Sequence, residues 1–307
     1  MNGDIIPKVA EGGEFDNIEE ELLPPVNEFK RFVRVFFKRK IVLVGFILMV
    51  LTLITAAFAD IIAPYDPYEQ NLANYLLGPS GAHLLGTDAL GRDLLSRVIH
   101  GTRIALSVGV GTVLVAAVIG TLIGLVAGYF EGILQTIIMR LTDALLAMPP
   151  LVLAIIVAAL LKIGIQGVII AMAITLLPGY IRLVCGQVLT IKQNDYVMVC
   201  KSMGTKKARI LFRHILPNSI SPLIVQMTMM MGIAILMEAS LSFLSVGILP
   251  PTPAWGSMAF DGYKYLIQRP LLSLAPGVAI MILVFAFNMV GDGLRDALDP
   301  KLRGTTS

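Results

Sequence analysis

The chain has 307 residues, of which 56% are hydrophobic and 15% are charged, and its mean hydropathy is +0.80. Soluble globular domains carry about 25% charged residues, so this composition excludes an ordinary soluble protein and indicates a chain solvated largely by lipid. The formal net charge is only +3, and we expect membrane lipid rather than nucleic acid around the protein.

The N-terminal forty residues are polar and then basic. Residues 1–28 are acidic and lack apolar periodicity, which predicts a disordered cytoplasmic tail. Residues 29–40 alternate Phe and Val with Lys and Arg, which predicts a basic amphipathic helix on an anionic lipid surface. The alternative is that these charges serve only to orient the first span.

Six apolar stretches are long enough to cross a bilayer, which takes about 20 residues. They are 41–59, 104–129, 141–161, 167–189, 222–247 and 271–290. We therefore predict an all-α membrane protein with six transmembrane helices. The segments are TM1 over 41–59, an extracytoplasmic loop over 60–102, a transmembrane domain over 103–291 and a cytoplasmic tail over 292–307.

Lys and Arg cluster before the first span, between residues 192 and 213, and after the sixth span. All three clusters lie on the same side of a six-span arrangement. Because basic residues accumulate in cytoplasmic loops, both termini and the loop 192–218 are predicted to be cytoplasmic, in a multi-pass protein of the cytoplasmic (inner) membrane.

Small residues and prolines predict how the spans pack. Gly120, Gly124 and Gly128 recur every four residues, which allows another helix to approach closely, and we expect that helix to come from the same chain. Prolines in or at the ends of the later spans predict bent helices. They are Pro149, Pro150, Pro178, Pro222 and Pro276.

Residues 195–217 predict two short helices on the cytoplasmic side. Gly204 is expected to end the first, Thr205 to cap the second and Pro217 to stop it. Several apolar side chains of this segment suit docking in a groove of another protein; the alternative is packing on the chain's own helix ends. They are Val197, Val199, Met203, Ile210, Leu211 and Phe212.

Glu238 is the clearest acid within a predicted span, and such a group is expected to face a cavity or a partner rather than lipid. We predict that it lies on a translocation pathway together with Met230, Met237 and Ser240. The alternative for Glu238 is a hydrogen-bonded packing role.

Nothing in the sequence predicts covalent chemistry. The chain has no G-x-x-x-x-G-K-[ST] loop for phosphates, and its three histidines form no catalytic or metal-binding pattern with the two cysteines. We expect no catalytic residue, no metal site and no cofactor in this chain.

The coupling segment carries the first resemblance to a known family. The spacing of Gly204 and Leu216-Pro217 resembles that of the coupling motif of ABC importer permeases. This motif is written E-A-A-x3-G-x9-I-x-L-P, where x is any residue. The sequence departs from that motif with Met-Val-Cys at 198–200 and with His214 at the Ile position. The missing Glu removes an expected polar contact to the ATPase.

Further stretches resemble the C-type permease of oligopeptide and dipeptide importers. They are 29–45, 63–67, 85–97, 250–256 and 291–300. The resemblance implies a type I ABC importer permease fold and transport of di- or oligopeptides. It also implies a second, B-type permease, two ATPase subunits that bind ATP and Mg²⁺, and an extracytoplasmic substrate-binding protein as partners.

The same resemblance implies roles for individual residues. Asp88 and Arg92 would contact the binding protein, and Trp255 would either contact it or anchor the chain at the membrane interface. The set that would contact the ATPases is Tyr196, Met198, Cys200, Lys201, Met203, Gly204, Arg209, Phe212, Leu216 and Pro217.

Three alternative functions stay open on the sequence alone. A nickel or glycoside importer permease shares much of the pattern, an ion-coupled secondary transporter predicts more buried ionisable residues, and a scaffold or receptor subunit predicts no closed substrate path.

Overall fold

The structure is a computed structural model that describes residues 28–161 and 164–298. Within these ranges the chain is built from helices, turns and loops, with one isolated antiparallel bridge between Thr87 and Asp93. The predicted acidic tail, except for Glu28, lies outside the described residues, as do residues 299–307 of the predicted C-terminal tail.

Helices of very different lengths make up most of the described ranges. In chain order they are α1 (Glu28–Phe36), α2 (Lys40–Ala57), α3 (Ala59–Ile62), α4 (Leu94–Tyr129), α5 (Ile133–Leu146), α6 (Pro150–Leu160), α7 (Ile165–Ile191), α8 (Asp195–Ser202), α9 (Lys207–Ile210), α10 (Leu216–Phe243), α11 (Trp255–Tyr263) and α12 (Leu271–Leu298). A 3₁₀ turn, Leu72–Asn74, precedes α4, and a π-helical turn, Leu211–Ile215, joins α9 to α10.

Five helical segments of the described ranges are long and apolar enough to cross a membrane, namely α2, α4, α7, the continuous segment Lys207–Phe243, and α12. The third predicted span, 141–161, is instead broken into α5 and α6, which meet at 97°. Pro149 and Pro150 cause the break, because proline lacks an N–H and disfavours helical geometry in the residue before it. With 11 residues, α6 is about 16 Å long, so only the bent pair together counts as a sixth span.

The second span begins earlier than the sequence predicted. Helix α4 starts at Leu94, within the loop assigned to 60–102, because the carboxylate of Asp93 caps it: Asp93 Oδ2 accepts hydrogen bonds from the backbone N and the Oγ of Ser96, both at 2.8 Å. A helix of 36 residues is about 54 Å long. The first turns of α4 therefore extend beyond the hydrocarbon core.

The N-terminal helix packs against the bundle. The helix predicted for residues 29–40 is α1, which ends at Phe36, and α2 begins at Lys40. Phe36 is buried with Val42 and Val290. Its apolar face thus contacts protein, while Arg34 remains exposed to the surroundings.

Basic segments share one end of the bundle, as the charge pattern predicted. The Arg39 guanidinium lies 3.1 Å from the Asp296 carboxylate, which ties the start of α2 to the end of α12. Arg295 lines the same cavity as Pro217. At the other end, the Arg97 Nη1 donates to the carbonyl oxygens of Pro67 and Pro251, at 2.8 and 3.3 Å, and joins the 58–93 loop to the segment before α11.

The three glycines of α4 face α7, as expected for a seam within one chain. A Cβ added at Gly120 would lie 2.6 Å from the Cβ of Tyr180, and one at Gly128 would lie 2.6 Å from the Cβ of Val188. Such distances leave no room for a side chain, so these backbones are in direct contact.

Gly124→Leu should separate α4 from α7, because even a Cβ at this position would lie 2.8 Å from the Ile181 carbonyl oxygen. We expect a loss of about 1–3 kcal/mol of stability, the usual cost of overpacking, measured as a lower melting temperature of the purified chain in detergent. The control is Gly186→Leu on the exposed face of α7, where an added Cβ meets no atom within 4 Å. Equal melting temperatures for the two variants would contradict the seam.

Candidate coupling and translocation sites

The turn between α8 and α9 forms around Gly204. Its φ of +74° is a left-handed conformation that glycine adopts without strain. The backbone N of Gly204 donates to the Lys201 carbonyl oxygen and that of Thr205 to the Cys200 carbonyl oxygen, both at 3.1 Å. Gly204 therefore ends α8, as predicted.

Two other predictions for this segment are wrong. Thr205 does not cap α9, whose N-cap residue is Lys206 and has no side-chain hydrogen bond. Pro217 does not stop the helix but lies in the first turn of α10, where proline is tolerated because a first-turn N–H needs no helical acceptor. The preceding π-helical turn adjusts the backbone where that donor is missing. The coupling segment consequently runs directly into a membrane span.

The apolar side chains of residues 195–217 divide into two sets. Val197, Ile210, Leu211 and Ile215 are buried against the ends of α4 and α7. The other set faces outward: Tyr196, Met198, Val199, Met203 and Phe212 are 42%, 49%, 56%, 78% and 54% exposed. The first set fits the expectation of packing on the chain's own helices. The second forms an exposed surface, in which Tyr196 lies beside His214 and accepts a hydrogen bond from Asn218. We call this second set the docking face.

The remaining residues of the predicted ATPase-coupling set surround the docking face. Lys201, Gly204, Arg209 and Pro217 are exposed, whereas Leu216 is half-buried. Cys200 is also half-buried, with its Sγ 3.9 Å from His214 Nε2. Basic side chains are numerous here, so an acidic partner surface would be attracted to it. They are Lys201, Lys206, Lys207, Arg209 and Arg213.

One basic residue of this region pairs with an acid of the same chain. Lys192 Nζ donates to Glu131 Oε1 at 2.5 Å and to the Gly128 carbonyl oxygen at 3.2 Å. The hydrogen bond from Lys192 is the main cause that lowers the pKa of Glu131 from its ordinary value. The pair connects the ends of α4 and α7 beside the coupling segment.

A cavity of about 820 Å³ opens between α7, α10 and α12, next to the coupling segment. Pro217 and Asn218 line this cavity and also lie at the end of the predicted coupling loop 192–218. Its other polar side chains are Gln187, Ser221, Gln226 and Arg295. The sequence interpretation missed this cavity, although polar residues at 218, 221 and 226 on an otherwise apolar span were a usable signal of a helix face turned away from lipid.

The residues predicted for the pathway do not form one site. Glu238 is 1% exposed and its Oε1 accepts a 2.7 Å hydrogen bond from Ser242 Oγ, which in turn accepts one from the Ile248 backbone N at 2.9 Å. Met237 is buried in the core and Met230 is half-buried against it. Within this subunit the packing alternative therefore describes Glu238.

Of the four residues predicted for the pathway, Ser240 is the one that lines an open groove. It lines a groove of about 370 Å³ with Phe243, Gly256 and Ile280, at the end of the bundle opposite the coupling segment. Its Oγ donates to the Leu236 carbonyl oxygen of the same helix at 2.8 Å.

The three residues predicted to contact a binding protein are mostly buried. Trp255 is 3% exposed, and its Nε1 donates to the Val98 carbonyl oxygen at 2.9 Å, above the space left by Gly101. Arg92 is 5% exposed and its Nε donates to Asp88 Oδ2 at 2.7 Å. Trp255 thus holds α11 on α4, and the prediction of an exposed contact or interfacial anchor is wrong for it.

A family profile described as the binding-protein-dependent transport system inner membrane component matches residues 120–304. The chain belongs to this family. It is accordingly a permease subunit of an ABC importer and a multi-pass inner-membrane protein, a transport component rather than an enzyme. A second profile, the N-terminal TM domain of oligopeptide transport permease C, matches residues 27–79, which confirms the C-type resemblance.

Permeases with named substrates are similar over most of their length. The chain is 44% identical over 278 residues to the glutathione transport system permease protein GsiD of Pectobacterium atrosepticum, covering 90% of this chain and 92% of that protein. It is 40% identical to the dipeptide transport system permease protein DppC of Alkalihalophilus pseudofirmus, with 92% and 93% covered. It is 42% identical to DppC of Haemophilus influenzae, with 91% and 97% covered.

Ser242→Ala should destabilise the permease, because it leaves the Glu238 carboxyl group and the Ile248 N–H unpaired in the interior. The expected cost is about 1–3 kcal/mol, measured by thermal unfolding in detergent. Ser240→Ala is the matched control, since its hydroxyl bonds only to its own helix. A Ser242 variant as stable as the Ser240 variant would show that the Glu238 network contributes nothing to the fold.

Proposed function

We propose that this permease moves di- or oligopeptides, including glutathione-like peptides, into the cell as one half of a heteromeric importer. Its partners would be a B-type permease, two ATPase subunits that bind ATP and Mg²⁺, and an extracytoplasmic substrate-binding protein. The single observation that carries the mechanism is the continuous helical segment Lys207–Phe243, which carries Phe212 of the docking face near its start and forms a wall of the 820 Å³ cavity.

The mechanism follows from this continuity. When ATP binding closes the ATPases, they would push on the docking face. The buried half of the coupling segment is packed on α4 and α7, so the push cannot be absorbed by a loose loop. Movement would pass through the π-helical turn into α10 and change the width of the cavity. Coupling of this kind requires that both sites make different contacts in the two states.

The cavity lining favours a peptide. Gln187, Asn218 and Gln226 carry amides that both donate and accept hydrogen bonds, which suits the backbone of a peptide of variable sequence. Arg295 adds a cation for a carboxylate. A nickel ion would be better held by imidazole or carboxylate groups, so nickel transport stays the second candidate.

Phe212→Asp should separate the permease from its ATPases. Phe212 is 54% exposed, so the chain should still insert and fold, while the new charge would be placed in an apolar contact. We expect at least a tenfold lower recovery of ATPase with the tagged permease, since an unpaired charge buried at an interface costs about 2–5 kcal/mol. Tyr263→Asp, 62% exposed at the opposite end, is the control. Equal ATPase recovery from both variants would contradict the docking face.

We also propose that the docking face and both termini are cytoplasmic, on the basis of the basic residues gathered at that end. In a Cys200→Ser background, Ile267→Cys, 99% exposed, should react with an impermeant maleimide in intact cells. Met203→Cys, 78% exposed, should react only after permeabilisation. Labelling of Met203→Cys in intact cells and of Ile267→Cys only after permeabilisation would show the opposite orientation of the chain in the membrane.

Uptake by the purified transporter tests the proposed function. Proteoliposomes that contain both permeases and the ATPases should accumulate a labelled dipeptide only with ATP on the ATPase side and with the binding protein present. Unlabelled dipeptide and glutathione should compete, and Ni²⁺ should not. Uptake driven by an ion gradient without the ATPases would favour a secondary transporter.

A further inference from the structure

A second cavity lies at the end of the bundle opposite the docking face. It has a volume of about 280 Å³ and lies between residues 88–97, α11 and the start of α12. One water needs only about 10–15 Å³ of such space. The cavity is therefore large enough for a side chain or a small organic group.

Two buried cations of this cavity share one carboxylate. Asp88 Oδ2 lies 2.7 Å from Arg92 Nε and 3.7 Å from Arg97 Nε. The Arg92 and Arg97 side chains are 6% and 3% exposed. The other oxygen, Asp88 Oδ1, accepts hydrogen bonds from the backbone N of Leu90 and Arg92, at 2.8 and 3.0 Å. Asp88 is thus fully engaged and offsets only one of the two positive charges.

The two guanidinium groups differ in which of their N–H groups have a hydrogen-bond acceptor. Arg97 Nη1 is held by the carbonyl oxygens of Pro67 and Pro251. Arg92 bonds only through its Nε, and within residues 28–161 and 164–298 its Nη1 and Nη2 have no hydrogen-bond acceptor. Arg92 lines the cavity, so a forked pair of donors is presented to it.

The rest of the lining adds no net charge. Asp261 also acts on Arg97, but its Oδ1 lies 3.2 Å from Lys264 Nζ, so the two charges balance. Leu272 and Met258 supply apolar walls. Arg92 Nη1 and Nη2 are not among the buried polar atoms that lack a partner within the described residues, so they are accessible from the cavity. A carboxylate satisfies a guanidinium fork with two parallel hydrogen bonds that strengthen away from water.

We propose that this cavity binds a carboxylate group, with the Nη1 and Nη2 of Arg92 as its donors. The carboxylate would come either from the C-terminus of the peptide substrate or from an acidic side chain of the substrate-binding protein, because both approach from this end in the proposed function. Arg92 would then bind the carboxylate of a partner that enters the cavity, through its Nη1 and Nη2, although its side chain is buried.

Arg92→Lys is the sharpest variant, because a lysine keeps the charge beside Asp88 but removes the fork. Glutarate is the probe and its neutral analogue glutaramide the chemical control, with binding measured by calorimetry on the assembled transporter in nanodiscs, without the binding protein. The matched control is Arg269→Lys, in which an exposed arginine of the same end loses its bond to the Leu76 carbonyl oxygen.

We expect wild type and Arg269→Lys to bind glutarate and not glutaramide, and Arg92→Lys to bind at least about tenfold more weakly, the usual effect of losing charge-assisted hydrogen bonds. A wild type that does not bind glutarate, or equal binding by Arg92→Lys, would overturn the proposal. The measurement involves neither ATP nor transport, so glutarate binding can fail while the proposed transport function holds, and the two failures are distinguishable.

A second pair of variants covers the case in which Arg92→Lys unfolds. Ala89 is half-buried in the cavity lining, so Ala89→Glu would place its own carboxylate at the fork while Ala89→Gln fills the same volume without charge. Glutarate binding should be lost more strongly in Ala89→Glu than in Ala89→Gln. Equal loss in both would mean that volume alone matters and would overturn the proposal.

The two sources of the carboxylate are then separated in the complete transporter. If the substrate supplies it, amidation of a dipeptide's C-terminus should reduce uptake by wild type and not reduce it further in Arg92→Lys. If the binding protein supplies it, Arg92→Lys should weaken docking of the peptide-free binding protein. Either outcome supports a carboxylate site.

Discussion

The contact on which the rest of this structure depends is the backbone approach of α4 to α7. Gly120, Gly124 and Gly128 leave no side chain between the two helices, so the pair behaves as one rigid unit. In lipid there is little hydrophobic force to join helices, and close van der Waals contact must replace it. The buried half of the coupling segment packs on the end of this unit, through Val184 and Val188. The coupling segment is therefore held in a fixed position relative to α4 and α7.

That arrangement explains how one short segment can serve two purposes. Its inner side chains anchor it, and its outer side chains remain for a partner. Pro217 does not end the segment, because it lies in the first turn of α10 and the preceding π-helical turn accommodates its missing donor. A force applied at Phe212 thus acts on the same helical segment that borders the cavity.

The candidate sites were predicted unevenly, for physical reasons. Gly204 and the exposed Phe212 were recognisable because a glycine at a helix end and an apolar residue outside the predicted spans leave local signals. Trp255 and Glu238 were misplaced because burial depends on which helix packs against them. The amide-lined cavity escaped notice because its walls come from α7, α10 and α12, which are far apart in sequence.

The sequence by itself determined the membrane class, the apolar segments, the end of the bundle where basic residues gather and the family to which the permease belongs. These features are written in composition, in runs of about 20 apolar residues and in short motifs. Only the tertiary structure decided that the third span bends by 97°, that Arg92 lines a cavity and which side of residues 195–217 faces outward. The direction in which a side chain points is set by helices that are brought together only when the chain folds.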